Sequence, residues 1–209
     1  MPHSGGIAFA VTVVFAFAAA LASSTSLAQP ASPDVGWLDF ERLAAGEILQ
    51  RTGRIERGQV TIDIAASIHA PKEVIWNILS ECEIAPEYVP NVVACERIDS
   101  INDGKSELFV QTVKPAFFIP RFEHVFRLDY FPYERIEVHR VSGPIAELDG
   151  VWWLLDRADS TVVLIHELRL QPGMPVPRIF VRATLRRDLP IVLEAIRQRA
   201  EAIAKNDPL

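Results

Sequence analysis

Between Pro175 and Lys205 apolar residues recur at steps of three and four: Leu185, Leu189, Val192, Ile196, Ala200 and Ile203. Arg178, Arg182, Arg186, Arg197, Glu201 and Lys205 take the opposite side. The spacing predicts one long amphipathic helix with a single apolar stripe to bury. Pro175 and Pro177 suit its first turn. Pro190 lies inside it and predicts a bend, because proline lacks the N–H and its ring crowds the carbonyl of Arg186. No other long segment has this period: Gly58 to Gln171 reads as strands with short helices, so the stripe must pack against a sheet.

The 209 residues are 49% apolar, enough for one domain with a sizeable core plus accessory segments. A formal charge of −6 and a pI near 5.4 argue against nucleic acid as a partner. Ile7 to Ala22 is almost wholly apolar, and Ser26-Leu27-Ala28 places small residues where a signal peptidase reads. Residues 1–28 are therefore expected to be a signal peptide, cleaved before Gln29 to leave a periplasmic or secreted protein. The apolar run is short for the roughly 20 residues of a membrane span. Residues 29–56 read as a linker with a short amphipathic helix over Trp37 to Gln50, bracing the domain at 57–209.

An oxidising compartment permits a disulfide between Cys82 and Cys95; two buried thiols are the other reading. Metal-ligand spacings are absent from the sequence, as are glycine-rich phosphate loops, so neither a metal nor a cofactor is expected.

Strand alternation begins at Gln59 to Ile68, with one face dry (Val60, Ile62, Ile64, Ala66, Ile68) and one wet. Two short helices follow, one opened by Pro71 and one bracketed by Pro86 and Pro90. Six further strands are expected over 92–101, 106–114, 121–131, 134–141, 150–156 and 161–170, with a tight turn at Asn102-Asp103-Gly104.

This order resembles the START-like superfamily, in its polyketide cyclase/dehydrase and lipid-transport branch. The residues that carry the likeness are Leu43 to Glu47, Ala70 to Trp76, Pro86, and Val89-Pro90-Asn91. Further along they are Leu148 to Leu154, Pro172 to Pro177 and Arg186 to Pro190. The resemblance implies an α+β helix-grip fold, a curved seven-stranded antiparallel sheet around the C-terminal helix. It also implies an elongated apolar cavity for a lipid, isoprenoid, sterol or polyketide. It carries no catalytic motif onto this chain.

The strand phases suggest the lining. Phe122, His124, Phe126, Leu128 and Tyr130 share a face, as do Val162, Leu164, His166, Leu168 and Leu170, so each face holds one imidazole among apolar side chains. Ile136, Val138 and Arg140 bring a guanidinium to the end of the cavity; Leu108, Val110 and Thr112 complete the lining beneath Leu185 and Leu189. Each polar residue also has a plainer reading, the histidines as core residues bonded to carbonyls and Arg140 as a surface partner of Glu147. Pro115 to Pro120 carries Phe117, Phe118 and Ile119 where polar turn residues are expected, and reads as the cavity entrance or as a loop packed into the core.

Two functions fit. One is a monomeric exported carrier of a hydrophobic small molecule, touching a membrane transiently. The other is a cyclase, dehydrase or hydrolase with His124 or His166 as general base and Arg140 stabilising an oxyanion. The test between them is whether the imidazoles and Arg140 converge on one point.

Overall fold

A computed structural model describes residues 32–53, 58–115, 119–157 and 161–206. The expected signal peptide, Phe117 and Phe118 lie outside the described residues. Pro33 to Leu209 form one compact unit.

The unit opens with α1 (Phe40–Ala44), whose first N–H groups are capped by Asp39; its carboxylate accepts from the N–H of Glu41 and of Arg42 at 3.1 Å each. Gly46, at φ +87°, turns the chain out of the helix into β1 (Leu49–Thr52). Here the structure corrects the sequence reading, which continued the helix to Gln50. β1 pairs antiparallel with β2 (Val60–Ile68) and raises the sheet from seven strands to eight.

After β2 come α2 (Lys72–Ser80), with Pro71 at its N-cap, a 3-10 turn over Cys82–Ile84, and α3 (Ala85–Tyr88). Then six strands run as a meander: β3 (Val92–Ile101), β4 (Ser106–Val113), β5 (Phe122–Phe131), β6 (Arg135–Ser142), β7 (Ile145–Asp156) and β8 (Val162–Pro172). All pairs are antiparallel in the curved sheet, in the order β1-β2-β8-β7-β6-β5-β4-β3. The turn between β3 and β4 puts Asn102, Asp103 and Gly104 at positive φ, as the tight turn requires.

The chain ends in α4 (Arg178–Asn206), which runs unbroken through Pro190. Its inner stripe packs on the concave face. Leu189 and Leu193 join Ile62, Ile64, Phe109, Phe126 and Leu168, and further along Val192, Ile196 and Ala200 join Ile68, Leu154 and Leu164. Ile203, assigned to the stripe from spacing, is exposed.

The second face of β2 is not wet. Leu43 and Leu49, with Trp37, Leu38 and Phe40 beside them, cover Ala65, Val163, Ile165 and Trp153 on the convex side. Asp63 is buried there and accepts from the Arg51 guanidinium at 2.6 Å. The N-terminal brace thus contributes both a strand and a second hydrophobic layer. Among the described residues no helix is long and apolar enough to cross a membrane.

Candidate ligand-binding site

Register decides which residues face α4. Opposed residues in an antiparallel pair share a face. Phe122, His124 and Phe126 of β5 face the helix as expected, and opposite them on β4 stand Val113, Gln111 and Phe109. Val110 and Thr112 therefore point the other way, one residue out of the predicted phase; Thr112 donates to the Glu123 carboxylate at 3.3 Å on that side. Leu164 is on the concave face but packs in the core behind Val192 and Ile196, which line the inner chamber while Leu164 does not.

Two adjoining chambers occupy the space between sheet and helix. The outer has a volume of about 680 Å³ and is bounded by the first turns of α4 (Phe180, Thr184, Arg187), by Pro115 and Ile119, and by Pro172 and Met174. The inner, about 360 Å³, is lined by His124, His166, Gln111, Trp152, Leu189 and other apolar side chains. Phe122, Ile145, Leu170 and Leu185 belong to both linings and mark the passage between them. Of the sequence-derived entrance loop, Ile119 is described and stands at the outer chamber.

Both imidazoles are held, and by different partners. His124 Nε2 lies 3.0 Å from Gln111 Oε1, and the Gln111 amide nitrogen is 3.9 Å from Cys95 Sγ. The rings of Phe122 and Phe126 flank His124 at 6.2 and 5.5 Å. His166 Nδ1 faces the Val151 carbonyl at 3.3 Å, and its ring is stacked on Trp152. Desolvation pushes each of them down to a pKa of about 4, so both are neutral at physiological pH. Gly150, opposite Leu168, leaves room for this stack: a β-carbon there would lie 3.1 Å from His166 Cε1.

Arg140 does not join them. It stands opposite Phe126, on the predicted face, yet its side chain is exposed and donates to the carbonyls of Ile145 and, at 3.0 Å, Gly143. Glu147, its other candidate partner, instead accepts from Gln59 at 2.9 Å. Gln111 was missed from the sequence because β4 was assigned the opposite phase.

Cys82 and Cys95 are disulfide-bonded, with Cα atoms 5.5 Å apart, tying the turn after α2 to β3. On the convex face Asp129, Glu137 and His139 come together, but Arg127 already pairs with Asp129 at 2.8 Å and Arg135 with Glu137 at 2.8 Å. Those carboxylates serve arginines, which makes them poor cation ligands.

A curved antiparallel sheet closed by one long helix over an apolar, two-chambered cavity defines the helix-grip fold. Residues 68–197 match the model of the polyketide cyclase/dehydrase and lipid transport family, and the chain belongs to that family. No curated protein matches the sequence. Solved structures share the fold at low identity. One is a START superfamily protein from Mycobacterium smegmatis, with 19% identity, 68% of this chain and 98% of that one covered, and a TM-score of 0.59. Another is a STAR-related lipid transfer protein fragment from Xanthomonas axonopodis (15%, 72% and 98%, 0.59). A third is the Zhui aromatase/cyclase from Streptomyces sp. R1128 (18%, 68% and 94%, 0.57).

Proposed function

We propose that the protein is an exported carrier that holds a lipid, isoprenoid or sterol-like molecule between its sheet and α4. The observation that carries this reading is the pair of adjoining apolar chambers, whose inner part offers only neutral polar groups. The enzymatic alternative asks for a cation beside an imidazole, and Arg140 is spent on two backbone carbonyls of its own turn. Fold likeness to a cyclase does not restore that function. The apolar run at 7–22 with its small-residue cleavage signal supports export, and the Cys82–Cys95 bond suits an oxidising compartment. Pro115, Ile119 and Phe180 at the outer chamber support cargo exchange with a membrane there.

Gentle purification of the mature protein, organic extraction and mass spectrometry of the extract test the reading. The expected result is a stoichiometric hydrophobic molecule, or, if the cargo is lost, uptake of a neutral dye such as Nile red. A protein that carries nothing and takes up no dye would sink it.

A further inference from the structure

The hydrogen bonds around the two chamber histidines determine which nitrogen of each ring carries the proton. Gln111 Oε1 accepts only, so the His124 nitrogen 3.0 Å from it, Nε2, is the protonated one and Nδ1 keeps a bare lone pair. His124 is 4% exposed, and its Nδ1 has no hydrogen-bond partner among the described residues. The same reasoning applies to His166. The Val151 carbonyl accepts only, so the proton sits on Nδ1 and Nε2 is left as a lone pair. Burial keeps both rings neutral, so neither gains a second N–H at physiological pH. Of the donors nearby, the Tyr88 hydroxyl is engaged on the Ile78 carbonyl at 3.4 Å and one N–H of the Gln111 amide lies on Cys95; the second amide N–H and the Trp152 indole N–H are the other donors of the lining.

The inner chamber thus holds donors as well as acceptors, but the buried polar atom of its lining that lacks a partner among the described residues is an acceptor, His124 Nδ1. A carbonyl or an ether has no hydrogen to give it. A carboxylate has none either, and finds no cation in the lining. A hydroxyl finds an acceptor whose need is otherwise unmet, and a buried polar group left unpaired is costly. We propose that His124 Nδ1 accepts from a hydroxyl of the cargo, so that the inner chamber selects un-ionised alcohols or phenols over the matching ethers, aldehydes and hydrocarbons. The inference rests on the carrier reading and adds an orientation to it: the hydroxyl enters first and the apolar remainder fills the outer chamber. Nδ1 is covered by the side chains around it, so the hydroxyl reaches it by displacing chamber lining, Phe122 and Phe126 being the flanking rings.

The test is displacement of Nile red from the mature protein by farnesol, farnesyl methyl ether and farnesal, three molecules that differ at one polar end. Farnesol is expected to compete at least tenfold more tightly than the other two, and His124→Phe to bring the three together. Because that variant changes the core, the wild-type protein supplies a second readout. The ¹⁵N chemical shift of His124 Nδ1 should report a lone pair in the empty protein, move on addition of farnesol, and stay put with the methyl ether. Nile red bound but displaced equally well by all three, with no movement of the Nδ1 shift, overturns the inference and leaves the carrier reading standing. Failure of Nile red to bind a protein that also carries nothing on purification overturns the carrier reading and this inference with it.

Discussion

Trp152 lies flat on His166, with ring centroids 3.7 Å apart and planes 9° from parallel. They are register partners across β7 and β8, so the sheet itself brings them together. Desolvation around the ring favours the uncharged imidazole and outweighs the carbonyl bond to Nδ1, which works the other way; His124 is desolvated likewise, without a backbone carbonyl partner.

Acid should therefore weaken the fold through these two residues. The unfolded chain titrates each histidine near its ordinary value of 6.5, the folded chain near 4. Above about pH 6.5 both states are neutral and stability is complete. As pH falls from about 6.5 to about 4 the unfolded state binds protons first, and stability drops by up to roughly 3 kcal/mol per imidazole. Urea unfolding at a series of pH values should show this slope, and His124→Phe with His166→Leu should flatten it. An unchanged slope in the double variant would assign the acid loss to other groups.

The strand phase of β4 makes a paired prediction. Val113→Trp places an indole in the inner chamber, whereas Val110→Trp places it on the outer face. Dye uptake should fall severalfold in the first and hold in the second, measured on samples matched by melting curve. The reverse pattern would restore the phase that alternation alone suggested.

How far the sequence led follows from these strands. In β5 and β8 a single histidine interrupts an otherwise apolar face, so the inward phase was legible. β4 carries apolar residues in both phases, Leu108 and Val110 in one, Phe109 and Val113 in the other; only pairing with β5 separates them, and that slip hid Gln111. β1 was missed because Ile48 and Leu49 also satisfy helical spacing, and four residues are too few to show a period. Arg140 was given the right strand face, but the turn carbonyls that capture its long side chain leave no periodic trace.

The Cys82–Cys95 bond closes a short loop, with a sequence separation of 13. Replacing both cysteines with serine should lower stability by about 3 kcal/mol, chiefly by freeing the unfolded chain. The inner chamber is also at stake, because Cys82 lines it and Gln111 leans on Cys95. Chemical denaturation with and without reductant measures the first effect, and dye affinity the second. A variant as stable as the parent would show that packing alone holds the turn.

Gly143 should not tolerate a side chain. It sits at φ +110°, and a β-carbon there would fall 2.7 Å from both Cα and Cβ of His124. Gly143→Ala should cost about 1–3 kcal/mol and push the β6–β7 turn off the strand that carries His124. Paired measurements of melting temperature and farnesol competition check both consequences; a neutral substitution would mean the turn is freely displaced.

The entrance prediction concerns Phe117 and Phe118 together with Ile119. Serine at the two phenylalanines should slow cargo exchange with liposomes while sparing equilibrium capacity and the melting curve, since each apolar side chain entering the interface gains up to roughly 1.5–3 kcal/mol. Lower capacity or a large loss of stability would place the loop in the core instead.

The pairing of β2 with β8 has a consequence for how the chain is made. Val60 must find Leu170 and Ile68 must find Val162, so the seam between the first long strand and the last closes only when almost the whole domain has emerged. Synthesis delivers β2 early, with β1 as its immediate partner and its other edge open. Such distant pairing is slow to nucleate and leaves a hydrophobic edge exposed meanwhile. The short N-terminal strand then acts during folding as a guard for one side of β2 until the opposite side is filled. Shortening the chain within 33–52 should raise aggregation during refolding even where the finished fold survives.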